Sequence, residues 1–130
     1  IADIACACEA EGADAVSLIN TLMGMAIDIE HRCPKLSIGT GGLSGPAVKP
    51  VAVRMVHDVY KAVKIPVVGL GGIMTAEDAI EFFMAGSTAI EIGTANFIDP
   101  QVTIKVKRGI ISWLERHGCK SVQEIIGVVK

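Results

Sequence analysis

The sequence has no excess of basic residues. Twelve Lys and Arg against fourteen Asp and Glu leave a formal net charge of −2, so charge indicates neither nucleic acid nor an anionic membrane surface as partner. No apolar run approaches the ~18 residues of a membrane span. The first residues lack the pattern of a secretory signal, because Asp3, Glu9 and Glu11 fall where a basic segment and an apolar run would stand. Cys6, Cys8, Cys33 and Cys119 make no disulfide framework. A chain that is 51% hydrophobic and 20% charged needs no such staples, and a reduced, cytoplasmic setting is the simpler expectation. What is left is an apolar chain of 130 residues, about one domain. Ile1 already falls inside a helical pattern, so the chain is expected to be a piece of a longer protein.

Helix and strand signals alternate along it. Ile1, Ile4, Ala5 and Cys8 are spaced as one helix face, and Gly12 stands where a helix would stop. The run "DAVSLIN" from Asp14 to Asn20 has strand length. From Thr21 to Leu43 no element is evident, and a loop of that length in an apolar chain suggests a lid or binding loop. A helix is predicted over "AVKPVAVRMVHDVYKAV", with Val48, Ala52, Met55, Val56, Val59 and Val63 on one side and Pro50 in its first turn. The strand "IPVVGLG" follows. "AEDAIEFFMAG" is the next helix, with Ala76, Ala79, Ile80 and Phe83 as its stripe, Thr75 as N-cap and Gly86 as stop. "TAIEIGT" (Thr88–Thr94) is the third strand. "VTIKVKRGIISWLERHG" is helical, with Ile104, Ile111 and Leu114 among the core candidates. "SVQEIIG" is predicted as a short closing helix capped by Ser121. The strands are apolar rather than alternating, as expected of a parallel sheet covered on both faces. The fold class is therefore α/β.

Two parallel architectures compete. A dinucleotide-binding unit needs G-x-G-x-x-G after its strand. Gly69 and Gly71 fit, but position 74 is Met. A (β/α)8 barrel instead binds phosphate between the loops that follow its last two strands. Here "GLGGI" ends one strand and "GTANF" the next, so the N–H groups of Gly71, Gly72, Gly93 and Thr94 are candidates to hold one phosphate. The other account is that these glycines only permit tight turns. Asn20, directly after a strand, offers two donors and an acceptor suited to an amide or carboxylate. It could equally cap its own loop. Met23 and Met25 could line a cavity or merely fill gaps.

The stretches "LINTLMGMAIDIE", "GGLSGPAVKPVAVRMV" and "PVVGLGGIMTAEDAIEFFMAGSTAIEIGTANF" together resemble the C-terminal part of dihydroorotate dehydrogenases, most closely the class 1B form. The resemblance covers essentially the whole chain. It implies about three parallel strands with flanking helices from an FMN-dependent (β/α)8 barrel, residues 1–130 being a partial barrel without its N-terminal strands. It implies oxidation of dihydroorotate to orotate in pyrimidine synthesis, with FMN as hydride acceptor. By this resemblance Ile19, Gly45, Gly71, Gly72, Gly93 and Thr94 line the FMN, and Asn20 and Thr21 hold the pyrimidine. It also implies a homo-oligomer and a separate electron-transfer subunit carrying FAD and an iron–sulfur cluster and passing electrons to NAD. Two alternatives stay open: another FMN barrel enzyme such as a dihydropyrimidine dehydrogenase, and an inactive barrel fragment serving only as an interaction module.

The resemblance places the catalytic base, a Cys in this class, and a flavin-contacting Lys upstream of Ile1. No catalytic residue is therefore expected within the chain. Cys6 and Cys8, two apart on a helix, face away from each other and make a poor metal pair, and no metal site is expected. His31 is expected in a solvated cluster with Glu30 and Arg32, and His57 and His117 on helix surfaces. Val16, Leu18, Val68, Leu70, Ile90 and Ile92, or their neighbours, are the candidates to face the barrel interior.

Overall fold

The computed structural model describes residues 1–129. Its first helix, α1 (Ala2–Ala10), ends where Gly12 turns left-handed at φ +90°. Of the predicted apolar face only Ala5 is covered among the described residues. Ala5 is buried while Ile4 is 69% exposed and Ile1 and Cys8 are also exposed. Helical spacing tells which residues share a face, not whether a neighbour packs there. The end of α1 is tied down by Glu9, whose Oε1 accepts the N–H groups of Lys64 and Ile65 at 2.7 and 3.0 Å.

The strand predicted from Asp14 shortens to β1 (Val16–Leu18). The stretch after it is not structureless. It folds into two antiparallel ribbons, β2 (Leu22–Gly24) with β5 (Gly41–Leu43), and β3 (Ile27–Asp28) with β4 (Cys33–Pro34). This arm carries its apolar side chains outward: Met23, Ile29 and Ile38 are each more than three-quarters exposed. His31 sits at its tip against Asp28, Nδ1 to Oδ2 2.9 Å.

Helix α2 (Lys49–Ala62) follows a short 3-10 turn. Val48, Ala52, Val56, Val59 and Val63 are buried, with Met55 packed beside them, so the predicted stripe is the buried one. Strand β6 (Val67–Leu70) leads to α3 (Ala76–Ala85), whose N-terminus has a full capping box. Thr75 Oγ1 accepts from the Asp78 N–H at 3.2 Å and Asp78 Oδ2 accepts from the Thr75 N–H at 2.9 Å. Ala79, Ile80 and Phe83 are buried as expected, and so is Phe82, at 0% exposure. Gly69 makes room for that ring, since a Cβ there would lie 2.5 Å from Phe82 Cδ1. Strand β7 (Ala89–Glu91) and a one-turn helix α4 (Ala95–Ile98) precede α5 (Val102–Arg116).

In α5 the structure corrects the core assignment. Ile104 and Ile111 are about half exposed, whereas Val102 and Val106 are buried and Ile110, Trp113 and Leu114 pack on the core. The period is helical in both readings, but the buried stripe is set by the face that meets α3. The closing helix also fails to form. Only a 3-10 turn (Val122–Glu124) appears, and the Ser121 side chain makes no cap. His117 is exposed and stacks on Trp113, while His57 is half-buried rather than on the surface, with Nδ1 3.4 Å from the Ala85 carbonyl.

The strands β1, β6 and β7 form one parallel sheet in the order β1-β6-β7. Register decides which side chains share a face. Leu18, Gly69 and Ile90 lie abreast and face the helices. Ser17 is abreast of Val68, and Leu70 of Glu91, on the opposite face. Of the proposed interior set, Val68 and Leu70 therefore hold, while Val16, Leu18, Ile90 and Ile92 pack on the helical side and give way to Ser17 and Glu91. This face carries a serine and a glutamate, so the sheet is not apolar on both sides. No helix among the described residues is long and apolar enough to cross a membrane.

Candidate functional site

At the C-terminal ends of β1, β6 and β7 the chain leaves the sheet in loops that enclose a cleft of ≈ 400 Å³. Ile19, Asn20 and Thr21 enter it from β1, Gly71 and Gly72 from β6, and Gly93 and Thr94 from β7, while Gly45 comes from the turn before α2. The eight residues named as FMN or pyrimidine candidates thus line one space. Ser17, Ser44, Met74 and Glu91 line it too and were missed. Ser17 and Glu91 could have been found from the strand register. Met23 and Met25 do not reach it and are largely exposed.

The cleft is rich in free N–H groups. Ile19 donates to the Leu70 carbonyl at 3.0 Å, and Met74 and Thr75 donate to Asp78 Oδ2, both at 2.9 Å. The N–H groups of Gly71, Gly72, Gly93 and Thr94 donate to no acceptor among the described residues. Unpaired N–H groups on loops that line one space are candidates to hold an anion. Among the described residues no Lys, Arg or His lines the cleft, and Glu91 is its one ionisable side chain, so within this chain backbone dipoles are what it offers an anion.

The glycines divide into two kinds. Gly72 has φ +80°, and a Cβ on it would lie 2.7 Å from the Gly45 carbonyl oxygen and 2.9 Å from the Lys49 nitrogen. Gly71 has φ +129° and a Cβ there would be 2.9 Å from Ala52 Cβ. For these two the tight-turn account suffices. Gly93 is different: its φ lies outside the left-handed range and a Cβ would meet nothing within 4 Å. Among the described residues neither backbone conformation nor packing requires a glycine at that position.

Asn20 fills one of the two roles foreseen for it, the cap of its own loop. Its Oδ1 accepts the Thr21 N–H at 2.7 Å, a local cap, while its Nδ2 donates to no acceptor among the described residues. The side chain is exposed and free to point a donor into the cleft. Thr94 Oγ1 donates to Ser44 Oγ at 2.9 Å and so joins the β7 loop to the turn before α2.

Behind the cleft, Lys49 Nζ bridges Asp78 Oδ1 and Glu81 Oε1, both at 2.7 Å. Burial opposes ionisation of Asp78, but the hydrogen bonds from Lys49 and from the Met74 and Thr75 N–H groups outweigh it and hold its carboxyl below the ordinary value. The bond to Asp78, and then that to Glu81, pushes the Lys49 ammonium above its ordinary value. Sequence reading missed this network because its members lie 29 and 32 positions apart. None of the four cysteines lines the cleft. Among the described residues no three His, Cys, Asp or Glu side chains gather as metal ligands would.

The family model for dihydroorotate dehydrogenase matches residues 1–114. The chain is 67% identical, over its whole length, to the catalytic subunit of dihydroorotate dehydrogenase B (NAD(+)) from Bacteroides thetaiotaomicron, of which it covers 43%. It is 59% identical over 127 residues to the subunit of the same name from Caldicellulosiruptor saccharolyticus, covering 42% of it. Among solved structures, the Eimeria tenella dihydroorotate dehydrogenase in complex with ferulenol superimposes with a TM-score of 0.80 at 31% identity, over 97% of this chain and 34% of that one. The chain therefore spans less than half the length of the curated relatives it matches.

Proposed function

This chain belongs to the dihydroorotate dehydrogenase family, and from that premise we propose that it supplies the cofactor-phosphate side of an FMN-dependent (β/α)8 barrel that oxidises dihydroorotate to orotate. The observation that carries the reading is Gly93, a glycine that among the described residues neither backbone conformation nor packing requires, beside the N–H groups of Gly71, Gly72 and Thr94, which find no acceptor there. These four groups hold the phosphate. Ile19 and Gly45 line the rest of the cofactor's path, the glycine leaving space where a side chain would intrude. FMN, when bound, supplies the flavin ring that accepts the hydride.

The chain's own share is binding and orientation. Asn20 is held at its Oδ1 by the Thr21 N–H, which fixes the plane of the amide and leaves Nδ2 to donate to the pyrimidine ring. Thr21 flanks it. The proton-abstracting base is assigned to a residue outside these 130, since no cysteine here borders the cleft. The name of the relatives, a catalytic subunit of an NAD(+)-linked enzyme, supports a separate electron-transfer subunit as partner. By the class resemblance that subunit carries FAD and an iron–sulfur cluster, and the catalytic chain is itself a homo-oligomer.

The test is substrate choice in a full-length protein carrying this segment. It should reduce a dye acceptor with dihydroorotate and not with dihydrouracil. Turnover of dihydrouracil alone would move the chain to another flavin-barrel activity, and turnover of neither would favour a purely structural role.

A further inference from the structure

Lys49 and Asp78 stand behind the cleft, not in it. Asp78 is the joint between them and the loop. One carboxylate oxygen takes the Lys49 ammonium at 2.7 Å and the other takes the Met74 and Thr75 N–H groups, each at 2.9 Å. An ammonium on α2 is thereby linked, through one side chain, to the backbone that continues from Gly71 and Gly72. The pair is mostly covered, with side chains 23% and 16% exposed, so salt and water screen it less than a surface pair. Lys49 also touches the loop from beneath, because its nitrogen and Cβ are the atoms that a Cβ on Gly72 would strike at 2.9 Å.

Two consequences follow for anion binding. The Met74 and Thr75 N–H groups are already used, so the loop presents only those before them. The Lys49 charge is shared between Asp78 and Glu81, so it is not the counter-charge of a phosphate. Two consecutive left-handed glycines have many conformations open to them, and a loop built on them keeps one arrangement only if its flanks are fixed.

We propose that Lys49 and Asp78 are positioning residues that hold the Gly71–Gly72 turn in its anion-binding arrangement, and so set the preference of this cleft for a phosphorylated flavin over the same flavin without phosphate. The proposal rests on the cofactor reading above. Asp78→Asn keeps an oxygen for the two backbone N–H groups and loses the charged bond to Lys49. Lys49→Met removes the ammonium and leaves an apolar stem against the loop.

The experiment strips flavin from a full-length protein carrying this segment and titrates FMN and riboflavin separately by flavin fluorescence. Wild type should bind FMN more tightly than riboflavin. In Asp78→Asn and Lys49→Met the FMN affinity should fall about 10- to 100-fold, the size of one charge-assisted hydrogen bond, with riboflavin affinity unchanged. Lys49→Arg should restore the preference, since a guanidinium can serve both carboxylates. An unchanged FMN-to-riboflavin ratio in both variants overturns the proposal, and so does an equal loss for both flavins, which would mark a merely structural role. A wild-type protein with no preference for FMN overturns the cofactor reading itself, whatever the variants do.

Discussion

Replacing Gly93 by alanine separates fold from function. An added Cβ at this position meets nothing within 4 Å, and the backbone lies outside the left-handed range. Removing a glycine where its conformation is ordinary stabilises by about 0.4–1 kcal/mol through the unfolded chain. The apo protein carrying Gly93→Ala should therefore melt at or slightly above the wild-type temperature. Its FMN affinity should nevertheless fall. A methyl group where the phosphate lies against the backbone costs at least one charge-assisted hydrogen bond, about 1.5–3 kcal/mol, or roughly 10- to 150-fold in Kd. Gly72→Ala is the contrast: at φ +80°, with a Cβ 2.7 Å from the Gly45 carbonyl oxygen, it should lower the melting temperature as well. Thermal melts of the apo forms and FMN titrations of the same samples read both quantities. A Gly93→Ala protein that binds FMN like wild type would refute the claim that a ligand explains this glycine, and one that melts well below wild type would show a packing demand in its place.

Asn20→Ala should leave FMN bound and lower kcat/KM for dihydroorotate by about 10- to 100-fold, the cost of a hydrogen bond to a buried or charged group; steady-state kinetics at wild-type values would remove Asn20 from the substrate site. The Lys49–Asp78 pair fixes a pH dependence. Asp78 is depressed below 3.8, so its contribution is complete above that value and is lost as pH falls through the folded pKa. Lys49 is raised above 10.5, so its contribution is complete below that value and is lost as pH rises through the folded pKa. The difference in melting temperature between wild type and Asp78→Asn should thus be constant from about pH 5 to about pH 9 and close in acid below 3.8; a difference that vanishes near neutrality would contradict the assignment. Expressed alone, residues 1–130 should self-associate and show no dihydroorotate oxidation. The outer edges of β1 and β7 are unpaired among the described residues, and Ile4 on α1 is 69% exposed. A stable monomer in the ultracentrifuge, or turnover by the segment itself, would overturn this.

How much was legible beforehand depended on the range of the interaction. The α2 stripe from Val48 to Val63 was readable because helical period and core contact coincide there. The Thr75–Asp78 capping box was half readable, since Thr75 stood out as a cap while the reciprocal role of Asp78 did not. Gly71, Gly72, Gly93 and Thr94 emerged because glycine-bearing turns after two successive strands mark the same end of a parallel sheet, and Asn20 from its place directly after a strand, whereas Ile19 and Gly45, and the substrate role of Thr21, came only with the family resemblance. What stayed hidden needs the third dimension. Ile104 and Ile111 obey the same helical period as the buried face of α5, and only the position of α3 chooses between the stripes. The arm from Leu22 to Leu43 pairs through three-residue and two-residue ribbons, too short to leave an alternating pattern. The inward-facing parity of β1 and β7 was misassigned because apolar residues were given to the interior, where Ser17 and Glu91 stand. Lys49, Asp78 and Glu81 meet only through the packing of α2 on α3.

The central claim is that the loops after β1, β6 and β7 enclose an FMN site, and the absorption spectrum of a full-length protein carrying this segment tests it most directly. The protein should purify yellow, with the visible bands of a bound flavin, and should release FMN on denaturation in about one equivalent per chain. A colourless protein that takes up no added FMN would contradict the account.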